Sequence, residues 1–247
     1  MTYKTKGIVL RTVKYGETSL IINIYTELFG VQAYLVNGVR TSTSKGPGKA
    51  NLFQPAAILD LLAYHSELKN LQRLREFRWE FLYKHLFFDI VKNSIALFMI
   101  ELLQKCLKQP EPNQDLFHFV ENALLRLDEG EDAMVANFPL FFTLHLAGFL
   151  GFQITDSYTD QNGIFDLEQG SFVPAEPSHS YFLQGEYSAV TAQLLKTKHP
   201  MDLLEIRLNR EKRRVLLQAY LHFYAVHLPD FGTMKSFPIL QAILTES

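Results

Sequence analysis

The apolar pattern of the first eighty or so residues has a period close to two, which predicts β-strands. Turn-forming residues interrupt this pattern at short intervals. The predicted strands cover residues 4–14, 19–26, 31–36 and 55–64. Residues 68–77 form either a fifth strand or the start of a helix. Strands this short and this closely spaced are typical of a small, partly open β-barrel such as the OB-fold.

After Trp79 the apolar residues recur every three or four positions, which predicts helices. The predicted helices cover residues 80–107, 113–127, 133–150, 188–195 and 203–228. Pro110 and Pro112 separate the first two, since proline disfavours helical backbone in the residue before it. The second half of the chain is therefore predicted to be mostly helical.

Residues 152–180 break the helical pattern with Gly-, Asp- and Asn-rich turns around two short apolar stretches. We expect a small irregular β-hairpin here, inserted between helices. The predicted fold class is therefore α+β. An OB-fold barrel covers residues 1–79, and a helical domain covers residues 80–247 and holds the hairpin at about 152–180.

Cysteine content limits the chemistry, because Cys106 is the only cysteine. No disulfide can form within the chain, and no cysteine-based zinc site is possible. A reducing cytosol is the expected compartment, and we predict a cytoplasmic, nucleoid-associated protein. The apolar part of the N-terminus is too short for a signal peptide, and no apolar run reaches membrane-spanning length.

Charge is distributed unevenly along the chain, although the formal net charge is only −2. Residues 1–79 carry eleven Lys and Arg against five Asp and Glu, a net charge of +6. Residues 109–190 carry thirteen acidic residues and a single cation, Arg126. A basic front end suggests a module that faces a polyanion.

Motifs of known catalytic sites are missing from the sequence. It holds no phosphate-binding glycine motif, no nucleophile elbow and no His-Glu-x-x-His. The eight histidines are scattered, and His222 and His227 are five residues apart, a poor spacing for two ligands on one helix face. We therefore expect no enzyme activity, no cofactor, no catalytic residue and no metal site.

Cations of the barrel region are the first candidate binding site. They lie on the first predicted strand and in a loop at 37–50 that has three cations and no acid. By alternation, Lys4, Lys6 and Lys14 share one face of the strand, and Arg11 points the other way. The predicted DNA-binding residues are Arg40, Lys45, Lys49, Lys4, Lys6, Lys14 and Arg11. Cations would follow the phosphates and Tyr34 or Tyr15 would stack on bases, whereas the alternative is a solvated sheet face.

A second basic cluster lies on the predicted helix at 203–228. Arg207, Arg210 and Arg214 are spaced i, i+3 and i+7, so they would share one helix face beside apolar side chains. Such a stripe suits an acidic, partly apolar peptide or a phosphate group. The alternative is salt bridging to the acidic middle of the same domain.

Four stretches of the sequence match a known family in order and spacing. They are 6–11 with 15–20, then 25–30 leading to 37–40, then 52–55, and finally 144–152 with Lys235, Ser236 and Leu240. On these stretches the chain resembles the RecO family of bacterial recombination mediators over nearly its full length. The resemblance implies an N-terminal OB-fold and a helical C-terminal domain.

The resemblance also implies what the protein does. Family members bind single- and double-stranded DNA, anneal strands, and help load RecA onto strands coated by single-strand-binding protein. The implied partners are RecR and the acidic C-terminal tail of single-strand-binding protein, with RecA indirectly and no membrane. The alternative function is a protein–protein adaptor that docks this tail through its helical domain.

The inserted segment departs from the family pattern. In many members it holds four cysteines around zinc, whereas residues 152–180 contain none. We therefore expect a hairpin without zinc ligands, held by the packing of Phe165, Phe172 and Tyr181.

Overall fold

Five strands form in the first eighty residues, and they close into a barrel. They are β1 (Thr2–Tyr15), β2 (Ser19–Thr26), β3 (Gly30–Val36), β4 (Ile58–Tyr64) and β5 (Leu71–Trp79). The order around the barrel is β1-β2-β3-β5-β4, and only the β3–β5 pair is parallel. The predicted OB-type barrel is confirmed, and the region after Leu68 is a strand rather than the start of a helix.

The structure is a computed structural model that describes the backbone of residues 1–40, 49–152 and 154–246 and the side chains up to Leu244. The chain divides into two compact units. The first unit joins Met1–Lys84 with Leu103–Leu124, and the second joins His85–Leu102 with Leu125–Ser247.

A β-bulge in β1 decides which side chains face outward. The pairing of β1 with β2 shifts by one residue between Val9 and Arg11. Paired residues share a face, so Val9 lies with the buried Ile24, while Arg11 lies opposite Asn23 on the outer side. Strict alternation, which takes no account of the bulge, placed Arg11 on the wrong face of β1. It shares the outer face with Lys4 and Lys6, whereas Lys14 lies on the other face.

Six α-helices form among the described residues. They are α1 (Ile90–Cys106), α2 (Gln114–Glu129), α3 (Asp132–Phe149), α4 (Glu186–Lys196), α5 (Arg210–His227) and α6 (Ser236–Glu246). The helix predicted from residue 80 begins ten residues later, at Ile90. Asp89 caps it by accepting the backbone N–H groups of Val91 and Lys92 at 2.8 and 2.9 Å.

The helix predicted at 203–228 is also shorter than expected. Residues Pro200–Glu205 form a 3₁₀ turn, and 206–209 are not helical. Asn209 then caps α5, because its side-chain oxygen accepts the N–H of Lys212 at 2.9 Å. Arg207 therefore lies outside the helix, and the predicted face shared by Arg207, Arg210 and Arg214 is wrong.

The predicted hairpin forms, with a third short strand beside it. β6 (Ile164–Asp166) pairs with β7 (Ser171–Val173) and with β8 (Phe182–Leu183). The rings of Phe165 and Phe172 are 4.9 Å apart, and both residues are buried. Tyr181 lies apart from this pair and stacks on His222 of α5 at 4.0 Å.

Candidate nucleic-acid interface and partner cleft

The outward side of β1, β2, β3 and β5 is a continuous surface, which we call the strand face. The strand register aligns its side chains in rows across the four strands. Its residues are Arg11 and Val13 of β1, Ile21 and Asn23 of β2, Ala33 and Leu35 of β3, and Leu71 and Arg73 of β5. The residues that alternate with them, such as Ile22 and Tyr34, are buried inside the barrel.

Two arginines lie at opposite edges of the strand face. Arg11 and Arg73 are exposed, and neither side chain forms an ion pair or a hydrogen bond with a residue that the structure describes. Between them lie the Asn23 amide and partly exposed aliphatic side chains, including Val13. Two uncompensated guanidinium groups across a mixed polar and apolar floor can hold the phosphates of a nucleic-acid strand.

A groove of about 640 Å³ continues the strand face at one end. Asn23, Val31 and Ala33 are on its floor. One wall is the turn 66–70 between β4 and β5, and the other is the segment 108–112. Lys69 on the first wall is exposed and forms no ion pair with a described residue. The groove therefore adds amide groups and a further cation to the surface.

Arg40 lies at the opposite end of the strand face, at the turn between β1 and β2. Its Nη1 donates a hydrogen bond to the carbonyl of Gly16 at 3.0 Å, and its backbone N–H donates to Thr18 at 3.1 Å. Arg40 thus fixes this turn against the end of β3. Lys14 and Tyr15, the last two residues of β1 before this turn, are exposed, Tyr15 by 54%.

Carboxylates offset other cations of the barrel. Lys4 and Arg78 both approach Asp60, at 3.6 and 2.7 Å. Lys49 Nζ lies 5.8 Å from the centre of the Phe77 ring. All three cations remain exposed, and the Asp60 carboxylate lowers the net charge that this side of the barrel offers a polyanion.

Lys6 is held more firmly than the other predicted cations. Its Nζ donates a hydrogen bond to Glu121 of α2 at 2.8 Å, and this bond raises the pKa of Lys6. A lysine bonded to its own carboxylate has less charge to offer a phosphate. Lys45 lies outside the described residues.

Tyrosine stacking is restricted by burial. Tyr34 is fully buried inside the barrel, so the prediction that it stacks on bases is wrong. Burial also raises the pKa of Tyr34. Tyr15 remains available as an exposed ring. Alternation along β3 could have shown that Tyr34 faces inward once β3 was known to be a barrel strand.

A cleft in the helical unit carries the second basic cluster. Its apolar walls come from α3, α5 and α6, and its volume is about 230 Å³. The apolar lining residues are Ala136, Pro139, Leu140, Leu217, Phe237, Leu240 and Leu244. We call this the helical cleft. It can accept a short apolar side-chain run.

Three arginines of α5 line the helical cleft, together with Glu211. Arg210 donates to the carbonyl of Leu244 at 3.1 Å, and Arg214 pairs with Glu211. The half-buried Arg213 donates to the side-chain oxygen of Asn137 at 2.9 Å, and burial lowers the pKa of Arg213. Arg207 does not line the cleft.

Sequence reasoning did not select Arg73, Asn23 or Arg213 as site residues. Arg73 and Asn23 share one surface with Arg11 only because of the register in which four strands pair. Arg213 belongs to the predicted basic cluster, and its place in the cleft follows from the start of α5 at Arg210.

Among the residues that the structure describes, no group of three or more His, Cys, Asp and Glu side chains is arranged to hold a metal ion. None of the helices in the described ranges is long and apolar enough to cross a membrane.

Comparison with known proteins identifies the family. Residues 1–82 match the family model described as recombination protein O N terminal, and residues 88–236 match recombination protein O C terminal. The DNA repair protein RecO of Phocaeicola vulgatus is 34% identical over 248 residues, which cover 99% of this chain and 100% of the relative.

Two further relatives carry the same name. The protein from Bacteroides fragilis is 32% identical over 245 residues, covering 98% of this chain and 99% of the relative. That from Flavobacterium johnsoniae is 31% identical over 249 residues, covering 99% and 100%. The chain therefore belongs to the RecO family, whose role is in DNA repair and recombination.

Proposed function

We propose that the protein binds single- and double-stranded DNA through the strand face of its barrel. The observation that carries this proposal is that Arg11 and Arg73 are exposed on one outward surface, and that neither guanidinium group pairs with a carboxylate of a residue that the structure describes. Arg40 and Lys69 extend the positive charge at the two ends of the face, and Lys14 lies near the Arg40 end but on the other face of β1. Lys4, Lys6 and Lys49 contribute less, because each interacts with another side chain.

Bound DNA gives the protein its role as a recombination mediator. Family membership supports the further proposals that it anneals complementary strands, works with RecR, and helps load RecA onto strands coated by single-strand-binding protein. A surface that binds through the backbone without base recognition suits this role, since repair must act on any sequence.

Charge reversal on the strand face tests the DNA assignment. We expect Arg11→Glu combined with Arg73→Glu to weaken the binding of a fluorescent 15-nucleotide single strand about 100-fold or more, because two phosphate contacts become repulsive. The matched control is Lys198→Glu with Lys235→Glu. It makes the same change of net charge at two exposed positions of the helical unit.

Fluorescence anisotropy measures both variants at the same ionic strength. The control should bind within about twofold of the unmodified protein, because net charge alone has a small effect at moderate salt. Equal loss in both pairs would show that overall charge, rather than the strand face, governs binding. Unchanged affinity in the strand-face pair would refute the assignment.

A second function, docking of the acidic C-terminal tail of single-strand-binding protein, is supported by the helical cleft. An apolar cleft lined by Arg210, Arg213 and Arg214 suits a peptide that ends in apolar residues beside carboxylates. Asn137 fixes the guanidinium of Arg213, while Arg210 and Arg214 are exposed at the cleft.

Alanine variants test this docking. We expect Arg210→Ala with Arg214→Ala to weaken binding of an acidic tail peptide about tenfold, because two charge-assisted contacts are lost. Arg207→Ala is the matched control, since Arg207 lies outside both the helix and the cleft. Isothermal titration calorimetry would measure the affinity of each variant for the peptide. A loss in Arg207→Ala equal to that of the pair would contradict the cleft assignment.

A further inference from the structure

The turn between β4 and β5 is held rigidly by one buried side chain. Gln72 is 3% exposed, and its amide nitrogen donates to the carbonyls of Ser66 and Lys69 at 2.8 and 2.6 Å. Its amide oxygen accepts the backbone N–H of Ser66 at 3.1 Å. The N–H of Lys69 also donates to the carbonyl of Ser66, at 3.1 Å, which closes the turn. The tip of this turn is therefore preorganised.

Leu68 occupies that tip and is 96% exposed. It is the third residue of the turn Ser66–Lys69, a solvent-exposed place where polar residues are usual. Leucine gains nothing from this position in the isolated protein. The nearest exposed apolar residues along the chain, Tyr64 and Leu71, are only 47% and 39% exposed and lie at strand ends. Leu68 thus projects alone from a fixed support.

The surroundings of Leu68 suit DNA more than a protein partner. Glu67, Lys69 and Asn70 belong to the wall of the groove that continues the strand face. The groove is lined by the amide side chains of Asn23, Gln32 and Asn70, by Lys69 and Lys108, and by the stacked rings of Phe29 and His65. Cations for phosphates beside rings and amides for bases suit a nucleic-acid strand. Leucine is also uncommon among the residues that dominate protein–protein binding.

Apolar side chains on rigid supports have a known action on DNA. Leu, Ile, Met, Phe and Pro insert between neighbouring bases and separate their stacked rings. In OB-folds the loop between the fourth and fifth strands is one of those that contact oligonucleotides. A leucine that is held at the tip of this loop, next to a cation for the phosphate, has the chemistry of such a wedge.

We propose that Leu68 is a wedge that inserts between adjacent bases of DNA bound on the strand face and unstacks them. The wedge rests on the proposed function, because it acts on DNA that the strand face already holds. Lys69 binds the neighbouring phosphate, and the hydrogen bonds of Gln72 hold the turn in a fixed conformation. Unstacked bases are easier to pair with a second strand, so the wedge would aid annealing.

Fluorescence of 2-aminopurine tests the wedge, because this base is quenched when stacked and brightens when unstacked. A set of 15-nucleotide strands would carry it at successive positions. Leu68→Ser should reduce the fluorescence increase on binding at least twofold and weaken affinity only about fivefold, since the phosphate contacts remain. Leu68→Phe should retain the increase, because it keeps an apolar wedge.

Leu82→Ser is the matched control, with the same substitution at a leucine of the same unit that is 69% exposed. It should behave as the unmodified protein does. Far-ultraviolet circular dichroism would show that the Leu68 variants are folded. A full fluorescence increase with Leu68→Ser bound to DNA would overturn the wedge and leave the proposed function standing.

Two other results are informative. If the unmodified protein does not bind the strands, the proposed function fails and the wedge fails with it. If Leu68→Ser unstacks bases normally but loses binding to purified RecR, then Leu68 anchors a protein partner and the wedge is refuted.

Discussion

Gly30 shows how one residue type is required by its surroundings. Its φ is +63°, and a Cβ placed on it would lie 2.4 Å from the carbonyl oxygen of Glu111. Two features therefore require glycine here: the positive φ of the backbone and the close approach of Pro110 and Glu111. Gly30 also ends one of the stretches that match the RecO family, so part of that motif has a structural cause.

Alanine at this position should destabilise the protein. We expect Gly30→Ala to lower the free energy of unfolding by about 3 kcal/mol, from backbone strain and the clash together. Gly16→Ala is the control, because Gly16 has a φ of +57° but nothing lies within 4 Å of its added Cβ. It should cost about 1 kcal/mol from strain alone. Urea denaturation measures both, and equal losses would refute the contact with Glu111.

The cations of the barrel show which properties of a single residue the sequence can predict and which it cannot. The charge of Arg11 and its position on a strand are evident from sequence, but its lack of an acidic partner is not. Lys6 looks equivalent in sequence, yet Glu121, which is 115 positions further along the chain, binds it. Sequence therefore supplies the candidate cations, and tertiary contacts decide which of them remain uncompensated.

Elements whose ends are set by local signals were predictable. β2 occupies the predicted residues, and its buried and partly exposed residues alternate from Ser19 to Ile24. α2 begins next to the predicted residue 113, because Asn113 caps it with a side-chain oxygen that accepts the N–H of Leu116 at 2.9 Å. In both cases the deciding interactions lie within a few residues.

Elements that depend on distant partners were not predictable. The segment 80–89 has a helical apolar pattern, yet the N–H groups of His85 and Leu86 donate to Asp128 at 2.8 and 2.7 Å. That carboxylate lies more than forty residues away in sequence. The bulge in β1 is similar, because one extra residue inverts the alternation that follows it.

The pair α3 and α4 gives a pH-dependent test of packing. His145 of α3 is mostly buried, and its Nε2–H donates to the carbonyl of Leu194 in α4 at 3.1 Å. Burial lowers the pKa of His145 below its ordinary value of 6.5. The unfolded chain therefore binds a proton that the folded protein resists, and stability should fall as the pH drops below about 6.5.

Replacing this histidine should remove part of that pH dependence. We expect His145→Gln, which can still donate to Leu194, to lose less unfolding free energy than the unmodified protein between about pH 7 and pH 5. The difference cannot exceed about 1.4 kcal/mol per pH unit, since one proton is involved. Urea denaturation across this range measures it. If the unfolding free energies of the variant and of the unmodified protein changed with pH in parallel, burial would not lower the pKa of His145.

At the scale of the whole molecule, charge divides along the chain. The basic N-terminal region forms a barrel on whose outward side Arg11 and Arg73 form no ion pair with a described residue, and the acidic second half is mostly helical. Within the helical unit, the helical cleft gathers arginines from α5 despite the acidic surroundings. We propose that the first surface serves DNA and the cleft serves a protein partner, as a mediator requires.

The salt dependence of DNA affinity tests the central claim most directly. For single strands, log affinity decreases linearly with log salt concentration, and the magnitude of this slope drops by about 0.7 for each lost phosphate contact. Arg11→Ala with Arg73→Ala should therefore reduce the slope by about 1.4. Lys198→Ala with Lys235→Ala should leave it unchanged. A strand-face pair whose slope equals that of the unmodified protein would contradict DNA binding at this surface.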